Sequence, residues 1–87
     1  MPLTPEQLAD LRREPATPNR LKAAMRLARV TQVQVAAAIG VTQSHISEIA
    51  NGNYSSLPLD TAQDIAGFFG PDVTTDDIFP SRIAVAS

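Results

Sequence analysis

The sequence predicts an all-α fold, a single compact domain built from short helices. Apolar residues recur at three- and four-residue steps in several stretches, as they do on one face of an α-helix. Several of these stretches begin just after a threonine and end at a glycine or a proline, residue types that begin and end helices. The chain has 87 residues, 44% of them hydrophobic, which suffices for one small core. Chains of this length rarely hold two separate cores.

The amino-acid composition excludes several classes of protein and of binding site. The chain has no cysteine, which excludes disulfides and thiolate metal sites and suits a cytoplasmic protein. No apolar run approaches the roughly 20 residues that span a bilayer, and the N-terminus does not have the pattern of a signal peptide, so we expect a soluble, unprocessed chain. The formal net charge is −2, yet the lysine and arginine residues are concentrated before residue 30 and aspartates in the C-terminal half. This distribution predicts a bipolar surface.

The first predicted helix covers about residues 5–14. Thr4 is a capping residue, Pro5 suits the first helical position, and Gln7 can close a capping box. Leu8 and Leu11 form a narrow apolar stripe that must dock on the rest of the chain to be stable. We interpret residues 1–17 as an added helix and linker.

A second helix is predicted over residues 18–29, starting at the pair Thr17 and Pro18. Leu21, Met25 and Ala28 share one face of it. The basic residues occupy the other sides.

Residues 31–52 predict two short helices joined by a tight turn. Thr31 can cap a helix over 32–39, and Gly40 can adopt the positive φ that ends it. Thr42 can cap the next helix, 43–51, whose end is marked by Asn51 and Gly52.

The remainder predicts a fifth helix and a short sixth one. The fifth runs from Pro58 to the stop at Gly70 and should close the core. Thr74 can cap a turn of helix over 75–79, where we expect Asp76 and Asp77 to be exposed and to favour the helix dipole. The tail, 81–87, has a weak strand-like alternation and is a candidate dimer contact.

The stretch 31–52 resembles the helix-turn-helix of the phage-repressor family, also called the Cro, xenobiotic-response-element or lambda-repressor-like family. The pattern has a glutamine opening the first helix, an alanine four residues on, a glycine four further, and apolar residues six and nine beyond the glycine. Every position matches, by Gln32, Ala36, Gly40, Ile46 and Ile49. The resemblance implies a compact five-helix domain over 18–80, with an extra N-terminal helix and a short C-terminal tail.

The resemblance also implies double-stranded DNA as the partner, with helix 43–51 in the major groove. Gln43, Ser44 and Glu48 are then the base-reading positions, and Gln32 offers its amide and a helix N-terminus to a phosphate. His45 has two interpretations, a contact to DNA or a partly buried helix residue; a metal site is disfavoured because no second histidine or cysteine exists. The full set of expected DNA-binding residues is Gln32, Thr42, Gln43, Ser44, His45, Ser47, Glu48, Asn51, Asn53 and Tyr54.

Two positions depart from the family pattern. Where many members place an arginine and a glutamate that form an ion pair, this chain has Met25 and Ala50, so apolar packing replaces the pair. The basic residues that often follow the glycine are also missing, and phosphate attraction must come from Arg20, Lys22 or other N-terminal cations.

The sequence therefore predicts a transcriptional regulator, a repressor that binds a palindromic operator as a homodimer. We expect no enzyme and no cofactor, because the chain lacks a nucleophile with a base partner and a glycine-rich phosphate loop. The alternative is a protein-interaction module that keeps this fold, such as an antitoxin-like partner of another protein. The acidic net charge and the recognition helix free of lysine and arginine keep that alternative open.

Overall fold

The computed structural model describes residues 3–16, 19–54 and 57–80. Its regular elements are six α-helices, which confirms the predicted all-α class. In chain order they are α1 (Pro5–Arg13), α2 (Leu21–Ala28), α3 (Gln32–Ile39), α4 (Gln43–Ala50), α5 (Leu59–Phe69) and α6 (Thr75–Ile78).

Threonine side chains begin four of the helices, as predicted. The hydroxyl of each accepts a hydrogen bond from the backbone N–H three residues later, at the start of α1, α3, α4 and α6. At α1 and α3 a glutamine also bonds back to the cap, and these reciprocal bonds form complete capping boxes. The four caps are Thr4, Thr31, Thr42 and Thr74.

The second helix begins later than predicted. Asn19 and Arg20 are not helical, and α2 starts at Leu21. Thr17 and Pro18, on which the predicted start depended, lie outside the described residues. The carboxamide oxygen of Asn19 accepts a 2.9 Å hydrogen bond from the Leu21 N–H, so an asparagine side chain satisfies the first backbone N–H of this helix.

The ends of α2, α3 and α4 share one geometry. In each, a residue with positive φ follows the helix. The backbone N–H of the residue after it donates to the carbonyl five residues earlier, which is the Schellman pattern. Gly40 has φ 79° and Gly52 has φ 77°, as expected for glycine, but at the end of α2 the residue is Arg29, with φ 58°. The predicted left-handed turn at Gly40 is thus confirmed.

One hydrophobic core joins the described helices. Leu8 and Leu11 of α1 are buried in it together with Leu21 of α2 and Ile46 of α4, so the narrow stripe on α1 docks as predicted. α5 packs chiefly on α3 and α6. Its fully buried Ile65 and Phe69, with Phe79 after α6, close the other side of the core.

An ion pair ties α1 to α6. The Arg12 Nε lies 2.8 Å from Asp77 Oδ1, and Nη2 lies 3.3 Å from Oδ2. The expectation that Asp77 is exposed was wrong, because this residue turns inward, is 7% exposed, and also accepts from the Thr74 N–H. Asp76 is exposed, as expected.

Charge and burial shift the pKa of Asp77 in opposite directions. Burial raises the pKa of Asp77, but hydrogen bonds from Arg12 and Thr74 more than compensate, and the resulting pKa lies below the ordinary value. The hydrogen bond to Asp77 correspondingly raises the pKa of Arg12.

None of the described helices is both long and apolar enough to cross a membrane. The predicted strand-like tail, residues 81–87, lies outside the described residues.

Candidate functional site

The polar face of α4 is open to solvent. Gln43, Ser44 and Glu48 are exposed, whereas Ile46 and Ile49 on the opposite side are almost completely buried. This separation follows from the helical period, since the buried residues are three apart and the polar ones lie about half a turn away. Thr42, before the helix, and Asn51 and Asn53, after it, are also exposed, while Ser47 is half-buried.

The N-termini of α3 and α4 meet through two glutamine side chains. Gln43 Nε2 donates a hydrogen bond to Gln32 Oε1, across eleven residues of sequence. Each residue is the first of its helix. The sequence predicts both residues in the site, but the bond between them depends on how the turn at Gly40 brings the two helices together.

His45 lies on the exposed side of α4. Its Nδ1 is 4.0 Å from Glu48 Oε1, and the two side chains are 48% and 63% exposed. About half of the His45 side chain is therefore accessible to a partner, and its contact to DNA stays a prediction. The hydroxyl of Thr42 accepts from the His45 N–H at 3.1 Å, so the Thr42 oxygen serves as a cap.

The far end of α4 is held by a buried asparagine, Asn19, which is not among the residues that the sequence predicts for the site. Asn19 is 6% exposed, and its Nδ2 donates to the Ile49 carbonyl at 2.8 Å and to the Tyr54 hydroxyl at 3.2 Å. Tyr54 is half-buried and packs against the core. The only signal in the sequence was a cap-forming residue type two positions before Leu21.

Packing replaces the ion pair of the family pattern, as expected. Met25 is 7% exposed and Ala50 is 1% exposed, and both belong to the core. No charge is desolvated at these positions, which removes a cost that a buried pair carries.

Three arginines of the N-terminal part of the chain are engaged within the protein. Arg12 and Arg26 form ion pairs with Asp77 and Glu14, each with a shortest distance below 3 Å. The Arg20 guanidinium donates to three backbone carbonyls, those of Arg12, Glu14 and Asp77. Arg20 therefore joins helix ends rather than serving as a free cation.

Two described cations, Lys22 and Arg29, are not engaged in this way. Within the described parts of the chain, neither is among the side chains in ion pairs or hydrogen bonds, and both are exposed. They are the described cations best able to attract phosphate.

A family model provides the decisive comparison. The model described as helix-turn-helix matches residues 21–77, which include α2 to α5 and most of α6. The chain belongs to the helix-turn-helix family of the lambda-repressor-like, Cro type. Searches of curated proteins and of solved structures found no match.

Family membership relates the exposed face of α4 to DNA binding. This helix-turn-helix protein has a DNA-binding regulatory domain, and its family is not typically enzymatic. In the motif, α4 occupies the position of the recognition helix, which lies in the major groove. The match begins after α1, although α1 contributes Leu8 and Leu11 to the same core.

Proposed function

We propose that this helix-turn-helix protein is a transcriptional repressor that binds a palindromic operator as a homodimer. α4 would lie in the major groove, with Gln43, Ser44 and Glu48 toward base edges. The other expected DNA-binding residues would contact phosphates around them. The exposed polar face of α4, at the recognition-helix position of the matched motif, carries this proposal, and the contact between Gln32 and Gln43 agrees with it.

The contact leaves each glutamine with the groups that its role requires. A carboxamide has two N–H donors and an acceptor oxygen. Gln43 uses one donor on Gln32 and keeps the other donor and its oxygen, which together match the N7 and N6 groups of adenine. Gln32 uses its oxygen and keeps its N–H groups, which suit a phosphate, an acceptor only.

The small size of the site supports the proposal of a homodimer. One recognition helix reads only a few base pairs, and Lys22 and Arg29 are the described cations outside internal pairs and bonds. Two copies would read half-sites about 34 Å apart, and this spacing implies an operator with matching symmetry. The tail, residues 81–87, is the segment that we propose for the dimer contact.

A selection from random duplexes by mobility shift tests the proposal. The expected result is an enriched inverted repeat bound by two copies. Gln63→Ala is the matched control for substitutions on α4, because Gln63 is an exposed glutamine on α5. Failure to retain any duplex at low salt would favour the antitoxin-like protein-interaction module instead.

A further inference from the structure

We infer that Asn19 is a positioning residue for DNA binding, acting through the hydroxyl of Tyr54 without touching DNA itself. The inference rests on the proposed function and deepens it. It starts from the bond between the Asn19 Nδ2 and the Tyr54 hydroxyl, 3.2 Å long, at the end of the recognition helix.

The orientation of the Asn19 carboxamide is fixed by its neighbours. Its oxygen accepts from the Leu21 N–H at 2.9 Å, and its nitrogen donates to the Ile49 carbonyl at 2.8 Å. A flipped carboxamide would place N–H against N–H and oxygen against oxygen, two unfavourable contacts inside a buried site. The nitrogen must therefore face Ile49 and Tyr54.

This orientation decides what the Tyr54 hydroxyl can do. An NH₂ group only donates, so the hydroxyl oxygen acts as the acceptor toward Asn19 and its own proton is left for another partner. Phosphate oxygens only accept. Tyr54 follows the positive-φ turn at Gly52 and is half-buried, so its ring is anchored, and among the described residues no acceptor takes its hydroxyl proton.

The same carboxamide links two helices. Through Leu21 and Ile49, Asn19 joins the first residue of α2 to the last turn of α4. The Ile49 carbonyl also accepts from the Gly52 N–H at 3.0 Å, so it keeps one partner when Asn19 is changed. A substitution of Asn19 can thus remove the bond to Tyr54 without leaving that carbonyl unsatisfied.

A double-mutant cycle on the selected duplex tests the inference. Asn19→Ser retains an oxygen that can cap α2 but loses the reach to Tyr54, and Tyr54→Phe removes only the hydroxyl. We expect each change to weaken binding about three- to tenfold, the range for one hydrogen bond, and the double variant to be no weaker than the single ones. The slope of affinity against salt should stay unchanged, because a neutral hydroxyl releases no counterion.

The control for a purely structural role is thermal stability. If Asn19→Ser lowers the melting temperature but leaves affinity unchanged well below that temperature, the inference is overturned. Effects of the two changes that multiply would overturn it as well, because Asn19 would then act independently of Tyr54.

Asn19→Asp provides a second variant. Its introduced oxygen meets the Ile49 carbonyl and lowers stability, so binding is compared well below the melting temperature. The Tyr54 hydroxyl would then donate to the introduced carboxylate and no longer to phosphate. The added negative charge weakens binding in any background, so we expect a larger loss with tyrosine at position 54 than with phenylalanine. Equal losses would contradict the inference.

Tyrosine emission gives a readout that needs no variant. Tyr54 is the single tyrosine and the chain has no tryptophan, so emission reports on this residue alone. We expect the selected duplex to change it, after correction with free tyrosine for absorption by DNA. Binding without any change in emission would overturn the inference alone, whereas no binding of any duplex would also overturn the proposed function.

Discussion

Arg12 and Asp77 form a two-point ion pair across 65 residues of sequence, joining the first helix to the last. The Asp77 side chain is 10% exposed and that of Arg12 is 53% exposed. The Arg20 guanidinium bonds the backbone carbonyls of the same two residues. α1 is therefore fastened to the family domain by charge as well as by Leu8 and Leu11.

Replacing Asp77 by asparagine should reduce stability in a pH-dependent way. Because the folded pKa of Asp77 lies below the ordinary value of 3.8, its contribution is present above that pH and is lost as pH falls through the folded pKa. We expect Asp77→Asn to cost about 1–2 kcal/mol near neutral pH and progressively less in acid. Urea unfolding across this pH range measures the difference.

Asp76→Asn is the matched control, because Asp76 is the exposed neighbour in the same helix. Its effect should be small at every pH. If the asparagine variant at position 77 were as stable as the parent near neutral pH, the ion pair would contribute nothing measurable.

Gly40 and Gly67 should respond oppositely to an added side chain. A Cβ at either position meets no atom within 4 Å, but Gly40 has φ +79° whereas Gly67 lies within α5. Gly40→Ala should destabilise by about 1–2 kcal/mol through backbone strain alone. Gly67→Ala should stabilise by about 0.5–1 kcal/mol through helix propensity.

Gly40→Val should be more severe, because a β-branched residue resists the left-handed conformation, and DNA binding should be lost with stability. Thermal unfolding of the three variants checks the order. A stable and active valine variant would show that the turn does not need glycine.

Arg29→Gly should stabilise the protein. Arg29 has φ 58° at the end of α2, a conformation that glycine adopts without strain. We expect a gain of about 0.5–1 kcal/mol after allowing for the greater chain entropy of glycine. Arg29→Ala keeps the strain and removes the same charge, so it should show no gain in denaturant unfolding.

The two Arg29 variants also separate stability from phosphate attraction. Both remove one cation, so both should lower affinity for the selected duplex and make the salt slope shallower by about 1 if Arg29 contacts a phosphate. A slope identical to that of the parent would mean that Arg29 lies away from DNA.

Gln43→Ala and Ser44→Ala should cost affinity at particular operator positions, about 1–3 kcal/mol for a good bidentate contact. Both residues are exposed, so folding should survive. Titrations against single-base variants of the selected duplex, beside Gln63→Ala, measure the effect. Unchanged binding by both variants at an unchanged melting temperature would exclude α4 as the reading helix.

Truncation after Pro80 should weaken dimerisation. Residues 81–87 carry apolar Ile83 and Val85, which pairing across a twofold axis would bury. Sedimentation of the full and shortened chains compares their association. A shortened chain that stays equally dimeric would place the interface elsewhere, on α5 and the loop after Gly70.

Local signals in the sequence determined most of the helices and the polar face of α4. Thr31, Gly40 and Thr42 act within a few residues of themselves, so their capping and turn roles could be predicted without knowing the fold. The helical period likewise separates Ile46 and Ile49 from Ser44 and Glu48. These positions, with Gln32 and Ala36, also sufficed to indicate the family.

Only the tertiary structure decided the contacts between distant residues. Asn19 meets Ile49 and Tyr54 at separations of 30 and 35 residues, and Arg12 meets Asp77 at 65. Such contacts depend on how helices pack, which no local pattern encodes. For that reason the sequence predicted that Asp77 is exposed and favours the helix dipole, and that Arg20 attracts phosphate. In the structure Asp77 is buried, and the Arg20 guanidinium donates to backbone carbonyls.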